Sequence, residues 1–125
     1  MIPVTFALAL CAVSIFAALF FIVISGEDFG LPAEAKERAR KLFFSRLDAS
    51  QRRSWLFRRR FEVTGSTGRR YTIKPYGTFN IRSGVELFCL RVEGHMPSYD
   101  KLLAQRLLLE ADEHLFLAIA NRRQR

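Results

Sequence analysis

Charged side chains are absent from the first 25 residues of the chain and frequent in the rest. From Ile2 to Ser25 there is none. As a helix this stretch would be about 36 Å long, enough to cross a hydrocarbon core of about 30 Å with some tilt. The pattern predicts a transmembrane helix over residues 1–25, a connector over 26–32 and a small basic domain over 33–125. A signal peptide cleaved after Ser25 is the alternative, but the apolar run is long and no basic side chain precedes it.

Two helices are predicted directly after the connector. Apolar residues recur every three or four positions over residues 33–48, with charged residues between them, which predicts an amphipathic juxtamembrane helix. Asp48 or Ser50 can cap a second, short helix over 51–57.

The middle of the chain has a period of two. Alternating segments over residues 61–64, 71–73, 78–81 and 85–92 are separated by turns that contain Gly, Ser or Pro. Short alternating segments joined by tight turns are typical of neighbouring antiparallel strands. The pattern predicts a four-stranded antiparallel meander.

A long C-terminal helix with two apolar stripes is predicted after Pro97. The continuous stripe is assigned to cover the sheet, and its members are Ala104, Leu107, Leu108, Ala111, Leu115, Ala118 and Ile119. The second stripe, Leu102, Leu109 and Phe116, is expected to face a protein partner or a second copy of the chain, with the juxtamembrane helix as the alternative cover. The predicted fold class is therefore α+β, with a single N-terminal transmembrane helix, a four-stranded meander and a long C-terminal helix.

The domain is strongly basic. The net charge is +8, and the region from Glu34 to Lys74 has thirteen Lys or Arg residues against four acids. Basic residues follow the predicted span and none precedes it, so the N-terminus is expected outside and the domain at the cytoplasmic face of the cell (inner) membrane. Anionic lipid head groups of the bilayer are the expected partner. The predicted contact residues are Arg52, Arg53, Arg58, Arg59, Arg60, Arg69 and Arg70.

Nucleic acid is a second candidate partner for the same charges. Basic and aromatic residues interleave along the predicted strands, as they do in stacking platforms for bases. These residues are Arg69, Arg70, Tyr71, Lys74, Tyr76, Phe79 and Arg82. A solvated basic surface that binds nothing specifically is the third interpretation.

No catalytic, cofactor or metal site is predicted. His114 follows Glu110 by four residues, and Cys89 precedes His95 by six, but these spacings do not supply the three or four converging ligands that zinc requires. An enzyme that uses His95 with Asp100 is the weakest of the functional hypotheses.

Part of the chain resembles small prokaryotic α+β domains of unknown function. The segments that carry the resemblance are 61–66, 68–73, 103–107 and 116–121. It implies one α+β domain and no activity that could be transferred. The predicted function is a non-catalytic, membrane-anchored accessory or adaptor subunit of a larger assembly, and a membrane-tethered nucleic-acid-binding module is the alternative.

Overall fold

The structure is a computed structural model that describes residues 11–15, 30–91 and 94–125 of the 125-residue chain. The chain divides into two units, Met1–Gly30 and Leu31–Arg125. In the first unit, residues 11–15 are helical and exposed.

The predicted transmembrane helix over residues 1–25 is contradicted. Among the residues described, no helix combines the length and the apolar character needed to cross a membrane. Apart from residues 11–15, the predicted span lies outside the described ranges.

The described residues of the second unit form four helices and five strands. The helices are α1 (Ala33–Arg46), α2 (Ala49–Arg58), α3 (Ser98–Ala111) and α4 (Glu113–Ile119). The strands are β1 (Phe61–Thr64), β2 (Arg70–Ile73), β3 (Ile81–Ser83), β4 (Glu86–Cys89) and β5 (Asn121–Gln124). They pair antiparallel in the order β1-β2-β3-β4-β5. The α+β class and the two early helices agree with the sequence interpretation, but the sheet has five strands instead of four.

The prediction of one long C-terminal helix is wrong, because the chain breaks at Asp112. This residue leaves the helical conformation at φ −151° and ψ 78°. Its carboxylate accepts a hydrogen bond from the backbone N–H of Leu115 at 3.0 Å, which caps a new helix. Asn121 then begins β5 against β4, so the tail that was expected to end a helix completes the sheet.

The core lies between one face of the sheet and the helices. Alternate strand residues point into it, namely Phe61, Val63, Tyr71, Ile73, Ile81 and Phe88. Helix α1 packs on α3 and contributes Phe43, which is fully buried. The remaining strand residues lie on the opposite face, and that outer face is the floor of the site described below.

The assignment of the two apolar stripes is reversed in the structure. Leu102, Leu109 and Phe116 are all 4% exposed or less and belong to the core, so this stripe has no exposed face for a partner. Leu107, Leu115 and Ile119 of the other stripe are between 46% and 55% exposed. The helix that the sequence interpretation placed at the membrane exit, α1, packs on the helix that carries the buried stripe.

Candidate anion-binding groove

Helix α2 is held at the edge of the sheet by its first turn. The backbone N–H of Gln51 donates to Asp48 Oδ1 at 2.7 Å, and the Gln51 side chain accepts from the backbone N–H of Asp48 at 3.2 Å. This reciprocal capping box fixes where the helix begins. Gln51 Nε2 also donates to the carbonyl oxygen of Glu62 at 2.9 Å, so the same side chain ties α2 to β1.

The last turn of α2 is fixed as well. Arg59 takes the left-handed conformation (φ 53°, ψ 39°), and its backbone N–H donates to the carbonyl oxygen of Trp55 at 3.0 Å. Ser54 Oγ donates to the carbonyl oxygen of Arg60 at 2.7 Å. The left-handed residue ends the helix and turns the chain into β1 within three residues.

Strand register places a polar surface beside α2. Thr64 pairs with Arg70, and Glu62 pairs with Thr72, which in turn pairs with Arg82. Residues directly opposite one another lie on the same face of a sheet, and their strand neighbours Phe61, Val63 and Tyr71 point into the core. These five polar residues therefore lie on the outer face.

A concave groove of about 700 Å³ lies where α2 meets this outer face. Five arginines line it, Arg53, Arg58, Arg60, Arg70 and Arg82, together with two carboxylates, Asp48 and Glu62, which gives a formal charge of +3. Within the part of the chain that the structure describes, none of the five arginines forms an ion pair. Their charges are therefore available to an anion that enters the groove.

Four of the seven predicted contact residues line the groove: Arg53, Arg58, Arg60 and Arg70. Arg52 and Arg59 are not among its lining residues. Arg52 donates to the carbonyl oxygen of Leu47 at 3.1 Å, and Arg59 serves as the C-cap of α2. The sequence places all seven near one another along the chain but does not separate their roles.

Arg69 is engaged on the core side of the sheet. Its Nε donates to Ser83 Oγ at 2.7 Å, and its Nη2 lies 2.9 Å from Glu86 Oε2. The hydrogen bond from Arg69 lowers the pKa of Glu86, and the positive charge of Arg122 adds to the effect. Arg69 is therefore a structural ion-pair residue, although it is adjacent to Arg70 in the sequence.

Among the lining residues that the predicted contact set did not include, two bear directly on ligand binding, one basic and one aromatic. Arg82 appears in the interleaved basic and aromatic pattern but not among the seven contact residues, and its place in the groove follows from the β2–β3 register. Phe57 is 83% exposed and lines the groove beside the arginines of α2. The sequence feature that indicates its exposure is its position two residues after Trp55, because side chains two residues apart on an α-helix point about 200° apart.

The other predicted chemistry is not brought together. His95 and His114 are exposed, and Cys89 is buried. Across residues 11–15, 30–91 and 94–125, no group of three or more His, Cys, Asp or Glu side chains could hold a metal ion. Tyr71, a stacking residue in the nucleic-acid hypothesis, is buried in the core.

A buried carboxylate holds the β1–β2 loop against the helices. Glu113 is 1% exposed and accepts a hydrogen bond from Thr67 Oγ1. Its backbone N–H donates to Ser66 Oγ at 2.9 Å, and the Ser66 N–H donates to the carbonyl oxygen of Leu109 at 2.9 Å. Burial raises the pKa of Tyr71 to about 12, and the negative charge of Glu113 adds to the effect. These contacts position the loop, and they lie on the core side of the sheet.

Comparisons of the chain with protein-family models, with curated proteins and with solved structures find no match. The features that bear on function are therefore the shape and charge of the groove. It combines arginines without ion-pair partners in the described residues, hydroxyl groups and one exposed aromatic ring in a single concave surface.

Proposed function

We propose that the domain is a non-catalytic module that binds the phosphate backbone of a nucleic acid in this groove. The observation that carries the proposal is the set of five arginines on one concave surface, none with a carboxylate partner among the described residues. A guanidinium presents planar, paired donors that match phosphate oxygens. Five such groups around one groove suit a ligand with several phosphates better than one with a single charge.

The hydroxyl groups of the groove support a phosphate ligand. Ser50 of α2, Thr64 of β1 and Thr72 of β2 line it together with the arginines. Hydroxyl side chains commonly donate to phosphate oxygens in nucleic-acid complexes, where they fix the position of the backbone. Their spread over a helix and two strands provides contacts along an extended ligand.

The concave shape favours a strand over a membrane surface. Arginines of α2 and of the sheet line this one concave surface, so a ligand that enters it can contact Arg70 and Arg82 together with those of α2. A flat bilayer surface matches a concave arrangement of charges less well than a strand that enters it. Anionic lipid, the partner expected from the sequence, is therefore the competing outcome of the test.

Salt-dependent binding of the full chain to a fluorescein-labelled single-stranded oligodeoxynucleotide tests the proposal. Each phosphate neutralised on a single strand contributes about −0.7 to the slope of log K against log salt, so five contacts give about −3.5. Arg70→Gln and Arg82→Gln should each weaken binding and make the slope shallower by about 0.7. Arg38→Gln, which removes an exposed arginine of α1 outside the groove, is the control with the same loss of charge.

Two results would count against the proposal. Arg38→Gln could weaken binding as much as Arg70→Gln, which would show that net charge alone attracts the ligand. The chain could instead bind vesicles of phosphatidylcholine and phosphatidylserine more tightly than the oligonucleotide. That preference would assign the arginines to lipid.

An accessory role through protein association is the second candidate. It stays a prediction, and the observation that favours it is the exposed apolar stripe with Leu107, Leu115 and Ile119. An apolar patch of this kind often marks an interaction surface. Light scattering of the full chain tests whether this stripe joins two copies, and Leu115→Asp should then reduce the measured mass. If the original protein and Leu115→Asp have the same measured mass, this stripe does not join two copies of the chain.

A further inference from the structure

We infer that the nucleic acid in the groove is single-stranded and that the ring of Phe57 stacks on one of its unpaired bases. The inference rests on the proposed function and extends it from the phosphates to the bases. It is carried by an exposed aromatic ring in the wall of the groove and by an arginine on the same sheet face, Arg123, that lies over the ring of Phe79.

The exposed ring of Phe57 lies in the wall of the groove, where a bound ligand would contact it. Its side chain is 83% exposed, although Trp55, two residues earlier on α2, is in the core. Arg53, Arg58 and Arg60 line the same groove, so the ring shares this surface with groups that attract phosphates. Proteins that bind single strands combine these two elements, a basic track for the backbone and aromatic rings for the bases.

The outer face of the sheet continues this arrangement beyond the groove. Arg82 pairs with Leu87 across β3 and β4, and Leu87 pairs with Arg123 across β4 and β5. Arg123 therefore lies on the same face as Arg82. Its guanidinium carbon is 4.6 Å from the centroid of the Phe79 ring. A guanidinium stacked on a ring has a second planar surface, and such surfaces also stack on RNA bases.

Phe57 is on α2, which contacts β1, and Arg123 is on β5, so these two residues belong to opposite edges of the sheet. Neighbouring strands are about 4.8 Å apart, so β5 lies about 19 Å from β1. A nucleic-acid strand that crosses the sheet from Phe57 to Arg123 would pass Arg70 and Arg82 between them. This order puts one stacking position at each end of the path and two phosphate contacts between them.

A duplex does not fit this surface as well as a single strand. Paired bases are already stacked on one another, so a ring in the groove wall could not stack on them without unpairing the strands. Duplex DNA is commonly read by a helix or a two-stranded ribbon that enters its major groove. Here the arginines line a concave surface, which accepts a ligand and does not project into one.

Fluorescence anisotropy of the full chain with three labelled oligonucleotides tests the inference. These are a single strand with all its bases, a strand with the same number of phosphates and only abasic sites, and the corresponding duplex. We expect the base-containing strand to bind most tightly. Loss of a base–aromatic stack corresponds to a decrease in affinity of roughly 5- to 150-fold, so Phe57→Ala should weaken that complex by this factor. Binding to the abasic strand and the salt slope should not change.

Two variants serve as controls for the ring. Phe57→Tyr retains an aromatic surface and should bind the base-containing strand within about twofold of the original protein. Leu56→Ala truncates the neighbouring side chain, which is exposed but does not line the groove, and should leave all three affinities unchanged. Thermal unfolding of each variant verifies that the fold is retained.

The outcomes separate this inference from the proposed function. If Phe57→Ala binds all three ligands as the original protein does, while Arg70→Gln still weakens binding, the stacking inference is wrong and phosphate binding stands. Equal affinity for the abasic and base-containing strands would also overturn it. If Arg70→Gln and Arg82→Gln have no effect on any of the three ligands, the proposed function itself fails.

Discussion

The substitution Gly65→Ala, which adds one methyl group, tests how the β1–β2 hairpin is held against the C-terminal helices. A Cβ atom added there would overlap Glu113 Oε1, lie 2.7 Å from Glu113 Cδ and lie 3.1 Å from Tyr71 Cε2. The space beside the glycine is therefore occupied by the buried carboxylate. Gly65→Ala should destabilise the domain for a steric reason.

The size of the effect depends on whether the carboxylate can move. Overpacking a buried site costs about 1–3 kcal/mol. Moving the carboxylate would break its hydrogen bond with Thr67, and a hydrogen bond to a charged group contributes about 1.5–3 kcal/mol. Because Glu113 is 1% exposed, it has no adjacent solvent into which it can swing. We expect Gly65→Ala to lower the free energy of unfolding by about 2–3 kcal/mol.

Chemical denaturation followed by tryptophan fluorescence measures this free energy, since Trp55 is the single tryptophan and is buried. The comparison that isolates the contact is a double-mutant cycle with Glu113→Ala, in which the carboxylate is gone and the methyl group has room. In that background the additional cost of Gly65→Ala should fall below about 0.5 kcal/mol. An equal cost in both backgrounds would refute the steric argument, and so would a Gly65→Ala protein as stable as the original.

Two further predictions address the core stripe and the buried phenol. Leu109→Ala should lower the free energy of unfolding by about 2–5 kcal/mol, whereas Leu107→Ala should change it by less than about 0.5 kcal/mol. Chemical denaturation of both variants measures these changes. A larger loss for Leu107→Ala than for Leu109→Ala would contradict the assignment of the two stripes. The pKa of Tyr71 is raised from 10.0 to about 12 in the folded chain, so its contribution to stability is present below pH 10 and is lost as the pH rises through 12. Tyr71→Phe should therefore reduce the loss of stability between these pH values. If the free energy of unfolding falls between pH 10 and 12 as much in Tyr71→Phe as in the original protein, the loss does not come from Tyr71.

Local patterns in the sequence were sufficient for the elements whose stabilising contacts are local. The capping box of α2 joins residues three positions apart, and Asp48 was one of the two expected caps. The β1–β2 hairpin follows from alternation on both sides of the Gly65–Gly68 loop. Both elements lie within a few residues of where the sequence places them.

The sequence prediction for the C-terminal helices was wrong because polar residues in the core have hydrogen-bond partners that are far away in the sequence. Gln105 and Glu113 stand four residues before and four residues after Leu109 in the sequence, so in a single predicted helix they would give the face of Leu109 a polar character. The Gln105 side chain exchanges hydrogen bonds of 2.8 and 3.2 Å with Asn80, which lies 25 residues away. The Glu113 carboxylate is met by Thr67, 46 residues away. Such pairing gives both buried side chains a hydrogen-bond partner, but no residue within one turn of the helix indicates it.

The groove required the same kind of long-range information. A cluster of arginines was evident in the sequence, and four of the predicted seven line the groove. The pairing of β2 with β3 brings Arg82 onto the same face as Arg70, while Arg69 is drawn to Ser83 and Glu86 on the core side. Composition therefore indicates a basic surface, and strand register decides which arginines share it.

The position of Phe57 is set by the core, and this has a consequence for binding. Trp55 packs against Phe43 and Phe61, with ring centroids 5.0 and 6.0 Å apart, and the capping box fixes the start of the same helix. These contacts orient α2, so the face that carries Arg53 and Phe57 is directed into the groove before any ligand arrives. A preorganised wall leaves less conformational entropy to be lost on binding than a flexible loop would. The residues that stabilise the fold and those proposed to bind nucleic acid therefore lie on two faces of one helix, and α2 couples the core to the groove.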